Sequence, residues 1–155
     1  TWTMSAAWVC LSMAAALTVL TSYINSGVTF FTYFGIILWC FGFMFEVVAD
    51  FQKTLFKNNI DNCNKFITSG LWSLSRHPNY FGEIILWIGI AIIAFPLLSG
   101  YQYVSLISPI FVYFLLTSIS GINLLEQKAE QKWSDLDTYQ KYKNKTPMLI
   151  PKFWN

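Results

Sequence analysis

The sequence predicts an all-α integral membrane protein, with about four transmembrane helices in one bundle and a cytoplasmic C-terminal helix. The chain of 155 residues is 55% hydrophobic and only 12% charged, whereas soluble domains carry about 25% charged residues. Four apolar runs are each long enough for the roughly 20 helical residues that cross a bilayer. The cationic residues are confined to two polar segments, a distribution typical of loops on one side of a membrane.

The elements follow in order along one membrane domain, residues 1–155. The predicted spans are about 4–24, 28–48, 79–98 and 104–125. Short uncharged turns join the first two spans and the last two, while the polar segments are a loop at 50–77 and a tail at 126–155. Pro78 suits the start of the third span, because a first helical position needs no amide donor. The chain begins Thr-Trp-Thr without an initiator methionine, so we expect it to be the C-terminal part of a longer protein.

The charge distribution predicts the orientation in the membrane. Residues 1–45 carry no charge, and all ten Lys and Arg residues lie in the loop at 50–77 or in the tail. An even number of spans places these two segments on the same side. The positive-inside rule identifies that side as the cytoplasm, so we expect a multi-pass protein with both segments cytoplasmic.

Composition and motifs exclude several kinds of function. The net charge of +2 is too small to indicate nucleic-acid binding. Three widely spaced cysteines and a single histidine predict neither a metal site nor a disulfide framework. The sequence contains no GxGxxG, P-loop, GxSxG or HExxH motif. A Rossmann cofactor domain is therefore not expected, and a nucleotide would have to bind where cytoplasmic loops meet helix ends.

The stretch at 70–83 concentrates the residues that could carry chemistry. It holds the only arginine, Arg76, and the only histidine, His77, directly before the third span. Glu83 follows one turn inside that span, where ionisable groups are costly and indicate a functional site. His77 is interpreted as a capping or hydrogen-bonded residue at least as readily as a catalytic one.

A second group of charges is expected on the same side of the membrane. Asp50 and Lys57 follow the second span, and Lys128 begins the tail. Together with Arg76, these cations could bind a phosphate or another anion near a helix N-terminus. The alternative is a basic rim that attracts anionic lipids, and the residues alone do not decide between the two.

The chain resembles one family along most of its length, about residues 28–153. The resemblance is carried by Ala49-Asp50-x-x-Lys53, Ser75-Arg76-His77-Pro78-Asn79-Tyr80-Phe81-Gly82-Glu83, Leu125-Glu126, Tyr139-x-x-Tyr142-Lys143 and Thr146-Pro147-x-x-Ile150-Pro151. These motifs are similar to those of the uncharacterised membrane proteins related to the C-terminal domain of steroid 5α-reductases. Sterol reductases and isoprenylcysteine carboxyl methyltransferases are wider relatives.

The resemblance implies an NADPH-dependent reductase that acts on a carbon–carbon double bond of a steroid or isoprenoid-like substrate. The implied cofactor-binding residues are Asp50, Lys57, Arg76, Asn79, Tyr80, Glu83, Lys128 and Tyr142. Glu83 is also the implied catalytic residue, as the only candidate proton donor within the motif. Lys57 and Lys128 stand where relatives often have arginine. Arginine can bind a phosphate through two parallel hydrogen bonds, and lysine cannot.

Two other functions remain open from the sequence. The methyltransferase relatives share the Arg-His-Pro-x-Tyr-x-Gly core, so S-adenosylmethionine is the alternative cofactor. The third possibility is a protein without enzymatic activity that keeps the motif for binding lipid. In each case the expected partners are the bilayer and a hydrophobic small molecule, and the sequence leaves the oligomeric state undefined.

Overall fold

The computed structural model describes residues 2–21, 27–119 and 121–153, and these residues form helices without any strand. The α-helices are α1 (Trp2–Ser12), α2 (Ala14–Thr21), α3 (Phe30–Asn58), α4 (Pro78–Ala94), α5 (Ser108–Phe114), α6 (Ile122–Trp133) and α7 (Asp137–Lys145). Within the described residues, three helical stretches are long and apolar enough to cross a membrane: Phe30–Asn58, Pro78–Leu97 and Gly100–Trp133. They fit a multi-pass membrane protein, with three candidate spans where the sequence predicted about four.

The first predicted span, at 4–24, is divided at Met13 into α1 and α2. Ser12 Oγ donates a hydrogen bond to the Trp8 carbonyl at 2.8 Å, a contact with the preceding turn that often bends a helix. Helices of 11 and 8 residues are each shorter than the roughly 20 residues needed to cross a bilayer. The end of this predicted span, residues 22–24, lies outside the described residues.

Helix α3 continues past the predicted end of the second span into the predicted loop. It continues for 29 residues to Asn58, so the start of the predicted loop, residues 50–58, is helical. No proline or glycine interrupts the sequence after Val48, and the helix ends only at the Asn58-Asn59 pair. At 1.5 Å per residue α3 is about 43 Å long, which exceeds the roughly 30 Å hydrocarbon core of a bilayer. Its charged end therefore extends beyond the apolar layer.

Helices α3 and α4 pack closely through glycines spaced seven residues apart on each helix. A Cβ atom built on Gly42 would lie 2.6 Å from the Gly82 carbonyl oxygen, and one on Gly82 would lie 2.6 Å from the Glu46 amide nitrogen. Gly35 and Gly89 meet in the same way, with a built Cβ 2.7 Å from the opposing carbonyl oxygen. Small residues allow helix backbones to approach this closely in membranes, and the contact fixes α4 against the charged end of α3.

The fourth predicted span, at 104–125, consists of several helical types. A 3₁₀ segment, Gly100–Ile107, leads into α5, and a π-helical stretch, Leu115–Ile119, follows. Helix α6 then continues to Trp133, so position 125, the predicted end of the fourth span, falls inside a helix. The good helix formers Leu, Glu, Gln, Lys and Ala between 124 and 132 explain the continuation.

The apolar core consists of two small clusters between the helices. Ala15, Ala94 and Leu98 form one, and Ile84, Val112 and Leu116 form the other. The chain after α7 returns to the segment that precedes α4, where Arg76 N donates to the Pro147 carbonyl at 2.9 Å. The charged ends of α3 and α6, the segment between α3 and α4, and α7 thus meet at one end of the bundle.

Candidate functional site

A cleft of about 300 Å³ lies at this end of the bundle. Its walls are the end of α3, the 59–77 segment, α6 and α7. The side chains that line it are basic, aromatic and apolar, with a single acid: Lys53, Phe56, Lys57, Lys65, Phe66, Ile67, Trp72, Arg76, His77, Leu125, Glu126, Lys128, Ala129, Lys132, Trp133, Tyr139 and Tyr142. The walls of the cleft therefore carry both charged and aromatic side chains.

Glu126 contacts both residues of the Arg76-His77 pair. One of its carboxylate oxygens pairs with Arg76 Nη1, and the other lies 2.8 Å from His77 Nε2. The Arg76 and Glu126 side chains are 13% and 22% exposed, so this pair is largely shielded from water. The Nε atom of Arg76 is buried and has no hydrogen-bond partner among the described residues.

Trp72 connects three elements beneath the cleft. Its indole Nε1 donates to the Ala49 carbonyl of α3 at 2.9 Å, and its own carbonyl accepts from the Tyr142 hydroxyl of α7 at 2.7 Å. Burial raises the pKa of Tyr142 above the ordinary tyrosine value, so the phenol stays protonated and donates at neutral pH. Gln52 adds a further tie, because its side-chain oxygen accepts from the Leu71 amide at 2.9 Å.

Aromatic rings form a second wall. Phe66 lies among Trp133, Tyr139 and Tyr142, with ring centroids 5.3 to 5.7 Å from its own. The Trp133 indole also donates to the Asn64 carbonyl at 2.8 Å. Contacts at such spacing are favourable beyond simple area burial, and they hold the 59–77 segment onto α6 and α7.

The cationic side chains far outnumber the acidic ones in the lining. Five lysines and Arg76 face the cleft with Glu126 as the only acid among its described residues. Lys53 Nζ lies 5.0 Å above the Trp72 ring and Lys132 Nζ lies 5.1 Å above the Trp133 ring, which are cation–π distances. Since Glu126 is already paired with Arg76 and His77, the lysines leave a net positive cleft that suits an anion.

The structure divides the sequence-predicted site residues into two groups. Lys57, Arg76, Lys128 and Tyr142 line the cleft together. The others do not line it: Asp50, Asn79, Tyr80 and Glu83.

Those four residues stand on α3 and α4, outside the lining of the cleft. Glu83 is within electrostatic range of Asp50 and of Glu46, both on α3. The Tyr80 ring stacks on the His77 imidazole, with centroids 5.8 Å apart, so His77 joins the two groups. The Asn79 Oδ1 atom is buried and has no partner among the described residues. The functional roles of all these residues, Glu83 as catalyst included, stay predictions.

Several residues of the cleft were not predicted as site residues, above all Glu126. Its signal in the sequence is faint: it is the first acid of α6 and stands in a Leu-Glu pair. The contact with Arg76 spans 50 positions, so no local spacing reveals it. Phe66 and Trp72 were missed for a different reason, because aromatic residues are common at membrane interfaces whether or not they line a binding site.

Comparison with known proteins places these observations in a family. "Probable O-methyltransferase ustE" of Ustilaginoidea virens is 36% identical over 66 residues. The match covers 43% of this chain and 23% of that protein, so the chain spans less than a quarter of its relative's length. No solved structure matches the chain. The family model described as "Protein of unknown function (DUF1295)" matches residues 1–146, and the chain belongs to that family.

Proposed function

We propose that the cleft binds NADPH and that the protein is a membrane reductase of carbon–carbon double bonds in lipid-like substrates. The observation that carries this proposal is the charge of the cleft, with six cationic side chains and one acid that is already paired. NADPH carries three phosphate groups, whereas S-adenosylmethionine carries a sulfonium cation and no phosphate. A cationic cleft attracts the first and disfavours the second.

The residues present fit the phosphates of such a cofactor. Lys57 and Lys128 would hold them as point charges, and Arg76 would contribute its unpartnered Nε–H. Trp133, which is partly exposed and lies beneath Lys132, offers a flat surface for a nucleotide ring. When bound, NADPH would supply a hydride to one alkene carbon, and a proton added to the other carbon completes the reduction.

Glu83 is the proposed source of that proton. It lies in the apolar part of α4 beside Asp50 and Glu46, on the side where a lipid-soluble substrate would arrive from the bilayer. This role predicts that Glu83→Gln keeps NADPH affinity and loses turnover, because a proton donor acts in the reaction rather than in cofactor binding.

A methyltransferase is the second candidate, favoured by the name of the Ustilaginoidea virens relative, a probable O-methyltransferase. In that case the cleft would bind S-adenosylmethionine, and Glu126 would be the acid nearest to its cationic part. NADPH would thus need the cationic side chains of the cleft, whereas S-adenosylmethionine would need its acid.

Binding measurements on the purified chain in lipid nanodiscs distinguish the candidates. We expect NADPH to bind, detected by its fluorescence, with an affinity that falls as salt is added because the contacts are ionic. Lys57→Ala and Lys128→Ala should each weaken binding several-fold, while Lys145→Ala, an exposed lysine outside the cleft, should not. Calorimetric binding of S-adenosylmethionine without NADPH binding would establish the second candidate instead. Binding of neither would overturn the proposal.

A further inference from the structure

The C-terminal segment forms a strap over the residues that enter the cleft. We define this strap as residues 146–152, which follow α7 and run alongside residues 74–77. Arg76 N donates to the Pro147 carbonyl at 2.9 Å, and Lys152 N donates to the Leu74 carbonyl at 3.0 Å. Leu149 packs against the apolar cluster formed by Ile84, Val112 and Leu116. The strap is thereby anchored in the core while its backbone holds the segment before α4.

Ser75 links the strap to the Arg-His pair. Its side chain is fully buried, and Ser75 Oγ donates to the Leu149 carbonyl at 2.8 Å. The same hydroxyl oxygen accepts a hydrogen bond from the His77 backbone amide at 3.2 Å. One hydroxyl therefore bonds to the strap and to the residue whose imidazole meets Glu126.

These bonds act on the geometry of the cleft through the backbone. Arg76 and His77 both approach Glu126, so the conformation of their main chain affects how well one carboxylate bonds to both side chains. The strap and Ser75 supply that constraint from residues more than 70 positions away along the chain. Neither Ser75 nor a strap residue lines the cleft, so any influence on a bound ligand passes through Arg76 and His77.

We propose that Ser75 and the C-terminal strap are positioning elements of the cofactor site, which set the orientation of Arg76 and His77 toward Glu126. The part of this inference that concerns ligand affinity rests on the proposed NADPH site. The part that concerns orientation does not, because it is a statement about the His77–Glu126 pair in the ligand-free protein.

The single histidine of the chain makes the orientation measurable. With ¹⁵N-histidine labelling, the ring nitrogens of His77 give the only histidine signals, and the Nε2 signal reports the contact with Glu126. We expect Ser75→Ala to move this signal toward the position that Glu126→Gln produces. Ser73→Ala is the matched control, because the Ser73 hydroxyl is exposed and bonds only locally, to the Gly70 carbonyl at 2.7 Å. It should leave the Nε2 signal unchanged.

NADPH titration of the same variants tests the consequence for binding. Ser75→Ala removes the bonds of this hydroxyl to the strap and to His77, and we expect it to weaken NADPH affinity by about five- to tenfold, while Ser73→Ala stays close to the unmodified protein. Lys152→Pro is a second variant, at a residue whose side chain is exposed. It removes the donor to the Leu74 carbonyl and also restricts the backbone at this position. It should shift the Nε2 signal in the same direction by a smaller amount.

The outcomes separate the two proposals. An unchanged Nε2 signal in Ser75→Ala and Lys152→Pro overturns the positioning role. A shifted signal with unchanged NADPH affinity overturns its influence on the cofactor site. If the unmodified protein binds no NADPH, the proposed function fails, and the Nε2 signal still decides whether the strap positions His77.

Discussion

Replacing Glu126 by glutamine tests the ion network that holds the cleft together. Glutamine keeps the shape of the side chain but leaves the Arg76 guanidinium without its carboxylate and weakens the contact with His77. Exposed ion pairs contribute roughly 0.2 to 1 kcal/mol, whereas breaking a buried pair costs about 3 to 5 kcal/mol. The Arg76 and Glu126 side chains are 13% and 22% exposed, between these limits. We therefore expect a loss of about 2 kcal/mol in the free energy of unfolding.

Helix α6 provides a matched control for this substitution. Glu130 lies one turn after Glu126 and pairs with Lys143, but its side chain is 41% exposed. Glu130→Gln should therefore lower the free energy of unfolding much less than Glu126→Gln, as for other surface pairs. Equilibrium unfolding in mixed micelles, followed by tryptophan fluorescence, gives both values.

A double substitution identifies the cause of the loss. Arg76→Met together with Glu126→Gln removes the orphaned cation, so the pair should destabilise the protein by less than the sum of the single changes. If Glu126→Gln and Glu130→Gln had equal effects, or if the double variant were strictly additive, the ion pair would not be what stabilises this end of the bundle.

Three further predictions concern the scaffold around the cleft. Gly82→Val should destabilise the α3–α4 packing by at least about 2 kcal/mol, since its Cβ would lie 2.6 Å from backbone atoms of α3 that cannot move aside; unfolding midpoints measure this, and a change below about 0.5 kcal/mol would contradict the glycine contact. Trp72→Phe should cost about 1 kcal/mol or more through loss of its bond to the Ala49 carbonyl, and a neutral result in the same unfolding assay would refute that role. Tyr142→Phe should cost about 1 kcal/mol at pH 7 through loss of the bond to the Trp72 carbonyl. Burial raises the pKa of Tyr142 in the folded state, so the stabilisation by the protonated phenol is complete below the unfolded pKa near 10 and falls at higher pH. The difference in unfolding free energy between the unmodified protein and Tyr142→Phe should therefore shrink above pH 10. A difference that stays constant would contradict the burial of this phenol.

The membrane class followed from local properties of the chain. Long apolar runs and the segregation of charge are visible in any window of the sequence, because the hydrophobic requirement of a bilayer acts on each helix separately. Pro78 predicted the start of α4 for an equally local reason, and the structure confirms it. The ends of α3 and α6 were harder to predict, since charged residues that are good helix formers continue each helix beyond its apolar run.

The candidate site was predicted only in part, and the missing part is non-local. Arg76 and His77 attracted attention as unique residues next to a membrane helix, and both enter the cleft. Their common partner Glu126 stands about 50 positions away. Its identity depends on how α6 packs against the start of α4, and no spacing rule encodes that.

By itself, the sequence predicted a helical, multi-pass membrane protein with a cationic, aromatic end, because composition and charge distribution set how each segment interacts with lipid and water. Only the tertiary structure decided which charges meet. It placed Lys57, Arg76, Lys128 and Tyr142 in one cleft, and it left Asp50, Asn79, Tyr80 and Glu83 outside the lining of that cleft. The physical reason is the glycine contact between α3 and α4 together with the return of the C-terminal strap. These long-range contacts fix the relative positions of segments whose own sequences do not show which residues will meet.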